Sequence, residues 1–153
     1  MSLRIDDADP RGRAWRLFIE TSARLTTAID EQLREQSEMS LSDYHVLLLL
    51  SEAPDQRLRM KEIAQRMVFT ASRLTYQVDT LCKRGWVRRE RVPQDGRGSY
   101  AILTDEGRAA FATAARGHRK VVDDLFFQAL SPTDGQQLVH LMSQLAARLD
   151  RTE

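Results

Sequence analysis

Cysteine and long apolar runs are both scarce in this chain. Its 153 residues include one cysteine, Cys82, so no intrachain disulfide can form, and a reducing compartment suits the composition. The longest uninterrupted apolar run, residues 46–50, is far too short to span a bilayer. The first residues lack the basic start and apolar stretch of a signal peptide. We therefore expect a cytoplasmic protein without a membrane partner.

An excess of charge of one sign is also lacking overall, but not locally. The formal net charge is +1, yet residues 57–97 hold eleven basic and four acidic residues, a local charge of +7. The rest of the chain, with 12 basic and 18 acidic residues, carries −6. A basic middle third in a near-neutral chain is typical of a protein that contacts a polyanion with that third. A solvated basic face without a partner is the alternative.

The two ends of the chain predict long amphipathic helices. Residues 10–36 place apolar side chains at helical spacing, and Ser131-Pro132 begins a last helix with a nearly heptad-spaced leucine seam. Another helix begins after Thr104. These helices carry more apolar surface than one small core can cover, so we expect them to bury each other across the two-fold axis of a homodimer. A monomer whose end helices fold back on the core is the alternative.

The middle third predicts a compact series of short elements. Ser42 is suitable as the N-cap of a helix that runs to Ala53. Thr70 is suitable as the N-cap of another helix, which continues to about Arg84 and is stopped by a left-handed Gly85. The remaining predicted elements are a short strand at 58–60, a short helix at 61–67, and two strands at 86–92 and 99–103 around a turn at 93–98.

The helix that begins after Thr70 has one apolar and one polar face. At about 100° per residue, Val78 and Leu81 fall within about 40° of Leu74 and form the predicted buried face. The other sides carry small donors and acceptors, a phenol and cations, which can read base edges or bind phosphates. These residues are Ser72, Arg73, Thr75, Tyr76 and Lys83. A short preceding helix makes the segment a helix-turn-helix candidate.

The predicted hairpin supplies a second basic surface. Arg97 lies between two glycines in the turn, and a guanidinium on so slim a tip can enter a minor groove. Asp95 would be repelled by DNA unless it organises the loop, either by pairing with Arg97 or by capping turn amides. Asp79 on the preceding helix poses the same problem, and we expect it to pair with Arg89 or Arg91 and so tie the hairpin to the helix.

Several motifs in combination resemble the multiple-antibiotic-resistance regulator (MarR) family. They are Val78-Asp79-x-Leu81, a Lys83-Arg84-Gly85 stop, Asp95-x-Arg97 in the hairpin, and Leu103-Thr104-x-x-Gly107 at the entry to the next helix. The long helices on both sides of the middle region also match the family's layout, so the resemblance covers nearly the whole chain.

The resemblance implies a mainly α chain with a small β-hairpin wing (α+β), a winged helix-turn-helix flanked by N- and C-terminal dimerisation helices. Over residues 1–153 it implies dimerisation helices at 10–37 and 105–151 and a DNA-binding lobe at 41–104. The implied function is a homodimeric repressor that binds a pseudo-palindromic site in double-stranded DNA. The implied major-groove residues are Thr70, Ser72, Arg73, Thr75 and Tyr76. Arg97, with Asp95, would serve the minor groove, and the phosphate contacts would be Arg59, Lys83, Arg89 and Arg91.

Many relatives respond to small phenolic or other aromatic molecules, so the resemblance also implies release by such an effector. Aromatic or titratable residues on helices that would line the effector cleft are Trp15, Phe18, Tyr44, His45 and Phe111. Each is also compatible with an ordinary core or interface position.

Other functions have little support in the sequence. Cys82 does not match the position of the reactive cysteine in oxidant-sensing relatives, and a half-buried filler is the simpler interpretation. The three histidines, His45, His118 and His140, lie on different predicted helices and do not suggest a metal site. No catalytic or cofactor motif is present, so we expect neither an enzyme nor a cofactor. A winged-helix module that binds a protein instead of DNA is the remaining alternative.

Overall fold

A computed structural model describes residues 8–151 of the chain. This part forms six α-helices and three β-strands, with short 3-10 turns at Pro54–Gln56 and Phe127–Ala129. In chain order the elements are α1 (Pro10–Ser37), α2 (Leu41–Glu52), β1 (Arg57–Arg59), α3 (Met60–Met67), α4 (Ala71–Lys83), β2 (Val87–Val92), β3 (Asp95–Leu103), α5 (Asp105–Leu125) and α6 (Pro132–Leu149). The predicted fold class, mainly helical with a small β wing, is confirmed.

The three strands form one antiparallel sheet in the order β1-β3-β2. The strand predicted near residue 58 is therefore present, and it adds a third strand to the predicted hairpin. Leu58 pairs with Ala101, and both side chains are buried, while the neighbouring Arg57 and Arg59 are exposed. This alternation gives the sheet an apolar inner face and a polar outer face.

The chain divides within α5 into two compact units, the first ending at His118 and the second beginning at Arg119. In the first unit, one face of each short helix is buried. The side chains with almost no exposed surface are Leu33, Met39, Val46, Leu47, Leu50, Ile63, Leu74, Val78 and Leu81. The predicted buried face of α4, formed by Leu74, Val78 and Leu81, is confirmed.

The start of α2 differs from the prediction. Ser40, and not Ser42, is the N-cap, because its hydroxyl accepts the backbone N–H of Asp43 at 3.0 Å while the Asp43 carboxylate accepts the N–H of Ser40 at 2.8 Å. This reciprocal capping box needs the acidic side chain three residues after the cap. Ser40 and Asp43 have this spacing, and Ser42 does not.

The wing turn also differs from the prediction. The turn is confined to Pro93 and Gln94, because Val92 already pairs with Asp95. Arg91 then pairs with Ser99, so residues 96–98 form a bulge in β3 instead of belonging to a six-residue turn. Arg97 therefore projects from a bulged strand beside the tip.

The second unit contains the end of α5 and all of α6. Ser131 and Asp134 form a capping box at the start of α6, with Pro132 at its first position. None of the described residues of α6 is buried, although the helix carries large apolar side chains such as Leu141 and Leu145. Within residues 8–151, no helix combines the length and the apolar character that a membrane crossing requires.

Candidate nucleic-acid interface

The start of α4 is held by the cap that the sequence predicts. The Thr70 hydroxyl accepts the backbone N–H of Arg73 at 3.2 Å and lies 3.3 Å from the Ser72 hydroxyl. With the apolar face of α4 buried, the polar side chains point to solvent, and Tyr76 is 75% exposed. A helix N-terminus with free amides and exposed hydroxyls can bind phosphates and read base edges.

Arg73 is positioned by an aromatic ring in the turn before α4. Its guanidinium lies 3.8 Å from the centroid of the Phe69 ring. Such cation–π stacking restrains a long side chain without neutralising it. The stack therefore presents an oriented cation at the start of the helix. No spacing or motif in the sequence indicates the supporting role of Phe69.

The wing is tied to α4 by one arginine. The Arg89 guanidinium lies 3.1 Å from the Asp79 carboxylate and also donates to the carbonyl oxygen of Thr75 at 3.2 Å. The predicted pairing of Asp79 with Arg89 is therefore present. Because both partners are on α4, Arg89 links the wing to the helix at two points. Its guanidinium is also less available for a phosphate than the sequence suggests.

The wing tip is organised by Asp95. Its carboxylate accepts the backbone N–H of Arg97 at 3.2 Å, so it caps a turn amide, one of the two roles expected for it. A Cβ atom on Gly98 would lie 2.6 Å from this carboxylate, so the glycine leaves room for the cap. The Arg97 side chain is exposed and makes no ion pair within residues 8–151. The loop therefore presents a free guanidinium.

The other predicted phosphate ligands lie in different surroundings. Arg59 is on the outer face of the sheet, 5.8 Å from the Tyr100 ring centroid and 4.0 Å from the Asp95 carboxylate, and its pKa is raised chiefly by a hydrogen bond with Tyr100. Arg91 is exposed on β2, and Lys83 is exposed in the last turn of α4. The basic side chains predicted to bind phosphates are therefore divided among β1, β2 and the end of α4.

Thr104 and Gly107 anchor the base of the wing. The Thr104 hydroxyl donates to the carbonyl oxygen of Gly85 at 2.6 Å and accepts the backbone N–H of Gly107 at 3.0 Å. The backbone N–H of Thr104 donates to the carbonyl oxygen of Trp86 at 3.1 Å. A Cβ atom on Gly107 would overlap that Trp86 oxygen. These contacts explain physically why a Leu-Thr-x-x-Gly sequence follows the wing.

Two carboxylates missed by the sequence analysis connect helices. The buried Asp43 accepts a hydrogen bond from the amide of Gln77, which links α2 to α4. Gln77 itself is half-buried. Asp30 accepts the backbone N–H of Leu41 at 2.8 Å and pairs with Arg34, and these two contacts lower its pKa.

Part of the predicted effector site forms one aromatic cluster. The Tyr44 ring lies 4.4 Å from His118, 5.2 Å from Phe111 and 6.3 Å from His45, centroid to centroid. Burial lowers the pKa of His118, with a smaller effect of the His45 charge, and its buried Nδ1 has no hydrogen-bond partner among the described residues. His118 was not predicted as part of this site, because it lies seventy-three residues beyond His45 in the sequence.

The two remaining predicted effector residues lie elsewhere on α1. Trp15 and Phe18 are 51% and 40% exposed, and no ring contact joins them to Tyr44 within residues 8–151. Cys82 is half-buried, and burial raises the pKa of its thiol. A raised pKa disfavours the reactive thiolate, which fits the interpretation of Cys82 as a filler.

Comparisons with known proteins agree with this geometry. The family model described as "MarR family" matches residues 37–98. The structure of Sco3205 from Streptomyces coelicolor, a MarR family transcriptional regulator solved in complex with DNA, is 41% identical and has a TM-score of 0.84, covering 87% of this chain and 84% of its own. AbsC, a MarR family transcriptional regulator from the same organism, is 30% identical with a TM-score of 0.89, covering 95% of this chain and 97% of its own.

A named repressor is among the similar sequences. The HTH-type transcriptional repressor YetL of Bacillus subtilis is 29% identical over 111 residues, which are 72% of this chain and 66% of YetL. The matches to Sco3205 and AbsC cover most of this chain, 87% and 95% of it. The chain belongs to the MarR family of transcriptional regulators.

Proposed function

We propose that the protein is a homodimeric repressor that binds a pseudo-palindromic operator in double-stranded DNA. The observation that carries the proposal is the link from Arg89 to Asp79 and Thr75, beside an Arg97 whose guanidinium is exposed and unpaired within residues 8–151. A braced helix and wing can enter adjacent grooves as one body. The complex of Sco3205 with DNA supports this role for its relative here.

In this proposal different segments of the chain bind DNA and form the dimer. Residues 41–104 bind DNA, and the helices at 10–37 and 105–151 form the dimer, in which the exposed apolar side chains of α1 and α6 are buried. In each half-site α4 lies in the major groove, with Ser72, Arg73, Thr75 and Tyr76 toward the bases. Thr70 contributes chiefly by starting the helix, and Arg97 enters the minor groove. Lys83 and Arg91 contact DNA phosphates. Arg59, which lies beside Tyr100, and Arg89, which pairs with Asp79, also contact the DNA backbone.

A small aromatic effector releases the DNA in this proposal. The cluster of Tyr44, Phe111 and His118 supports it, because the rings offer an apolar wall and the buried His118 Nδ1 offers a free hydrogen-bonding atom. His45 lies beside this wall, and Trp15 and Phe18 are the exposed aromatic side chains that an effector can reach from α1. We also place the protein in the cytoplasm, because its single cysteine suits a reducing compartment.

The test is a binding experiment with a wing variant. A duplex is first selected from a random library by the wild-type protein, and its affinity is measured across a salt series. Arg97→Ala should weaken binding by more than about tenfold and reduce the salt dependence, while changing stability by less than about 0.5 kcal/mol. Arg88→Ala is the matched control, since it removes the same charge from the wing at a side chain already paired with Glu90 at 3.0 Å.

Two results would contradict the proposal. Equal binding by Arg97→Ala and the wild type would remove the wing from the mechanism. Failure of the wild type to bind any duplex, even at low salt, would favour the protein-binding alternative.

A further inference from the structure

The turn between α3 and α4 contains a side chain that the fold itself does not use. Val68 is the C-cap of α3 and is 88% exposed, the most exposed of the large apolar side chains that the structure describes. Its neighbours on both sides are partly covered: Met67 ends the short helix, and Phe69 lies under the Arg73 guanidinium. Val68 therefore contributes little to the core.

The backbone of Val68 makes its presence more unusual. Its φ and ψ are 54° and 43°, in the left-handed region, where its N–H caps the carbonyls of Ala64 and Gln65. Glycine or asparagine usually occupies this position at the end of a helix, because a Cβ is strained there and a branched one is strained most. Among the non-glycine residues described with positive φ, Val68 is the one with a β-branched side chain.

The place of Val68 indicates what its side chain contacts. It precedes the Thr70 cap by two residues, so it stands beside the end of α4 that carries Ser72 and Arg73. It is flanked by exposed cations, Arg66 before it and Arg73 after it. An apolar group among cations at the start of a recognition helix matches the surface of a major groove, where the thymine methyl is the one apolar group on a base edge.

We propose that Val68 packs against a thymine methyl group in each half-site and contributes to sequence specificity. The inference rests on the proposed DNA-binding function. It assigns to the left-handed turn a role that neither the core nor the helix cap requires, since glycine would cap α3 with less strain. The contact is apolar, so it adds no counterion release to binding.

The test compares stability and affinity in the same variants. On the duplex selected by the wild type, Val68→Gly should bind about fourfold more weakly for each half-site, or roughly fifteenfold for a dimer, which is the effect of losing about one buried methyl per site. Its thermal unfolding temperature should be equal to or above that of the wild type, because the strain is relieved. The slope of affinity against salt should not change. Val68→Ile, which keeps the branched methyl groups, should retain the affinity.

A base substitution identifies the partner of Val68. Replacing the same thymine of both half-sites by deoxyuridine removes only the two methyl groups. At one position this paired change should weaken the wild type by about the same factor as Val68→Gly, and it should leave the Val68→Gly protein unaffected.

The outcomes separate this inference from the function on which it rests. Equal affinity of the wild type and Val68→Gly, or a deoxyuridine effect of the same size in both proteins at every position, would overturn the role of Val68 and leave the DNA-binding function intact. A wild-type protein that selects no duplex would overturn both.

Discussion

The winged region, residues 57–104, and the last helix, α6, differ in where their apolar side chains lie. In the winged region the core apolar side chains of β1, α4 and β3 are buried, and the polar links Arg89–Asp79 and Thr104–Gly85 join its elements. In α6 none of the described residues is buried, and Leu141 and Leu145 are each at least half exposed. The apolar face of the winged region is therefore covered within one chain, whereas the apolar side chains of α6 are exposed and would be covered in the proposed dimer.

Helix α1 contains both arrangements. In its C-terminal half, Ile29 and Leu33 are buried, and Asp30 binds the backbone of Leu41 at the start of α2. In its N-terminal half, Trp15 and Phe18 are exposed. One helix thus carries both buried and exposed apolar side chains, and in the proposed dimer its exposed half would contact the partner.

The largest expected effect comes from charges placed on α6. The double variant Leu141→Asp/Leu145→Asp should dissociate the proposed dimer and lower DNA affinity by more than about a hundredfold. A monomer binds through a single recognition helix and so lacks the avidity that two linked helices provide. Sedimentation velocity and binding to the selected duplex measure the two effects. Ser143→Asp is the control, since it adds a charge on the opposite side of the same helix. A double variant that remains dimeric would show that α6 does not form the contact.

A methyl group at Gly107 should instead lower the stability of the winged region. Gly107→Ala places a Cβ against the carbonyl oxygen of Trp86, so we expect the free energy of unfolding to fall by about 3 kcal/mol. Urea denaturation followed by circular dichroism measures the change.

Gly135→Ala is the control for this prediction. Its Cβ would enter open space within α6, where alanine is favoured over glycine by up to about 1 kcal/mol. Equal unfolding midpoints for Gly107→Ala and the wild type would mean that the wing base is not tightly packed.

The smallest expected effect concerns the link between wing and helix. Asp79 and Arg89 keep 50% and 33% of their side-chain surface, so solvent screens their attraction. A double-mutant cycle with Asp79→Ala and Arg89→Ala should give a coupling of about 0.5 kcal/mol at low salt, and less at high salt. Strictly additive stability changes would show that the pair does not couple the two elements, and that the angle of the wing is set by its base alone.

The sequence predicts the elements of the fold well where a local signal is strong. The Thr70 cap, the Gly85 stop with φ of 75° and the buried face of α4 are all present as predicted, because each depends on residues within one helix. The pairing of Asp79 with Arg89 could also be predicted, because an unpaired carboxylate on a DNA-facing helix needs a nearby cation.

The structure differs from the predictions where two neighbouring residues could both fill the same role, or where residues far apart in the sequence are in contact. Ser40 and Ser42 both resemble caps, and only the reciprocal bonds with Asp43 distinguish them. The bulge at residues 96–98 depends on the register between β2 and β3. Gly96 and Gly98 have no side chains that could determine this register. The meetings of Gln77 with Asp43 and of His118 with Tyr44 join helices far apart in the chain, so no sequence spacing could indicate them.

The most direct test of the account is the number of chains bound to one selected duplex, measured by sedimentation equilibrium at low and physiological salt. The account predicts two chains per duplex, with an inverted repeat whose half-sites are about one helical turn apart. A complex of one chain per duplex with the same affinity and sequence preference would contradict it, because the exposed faces of α1 and α6 would then have no part in DNA recognition.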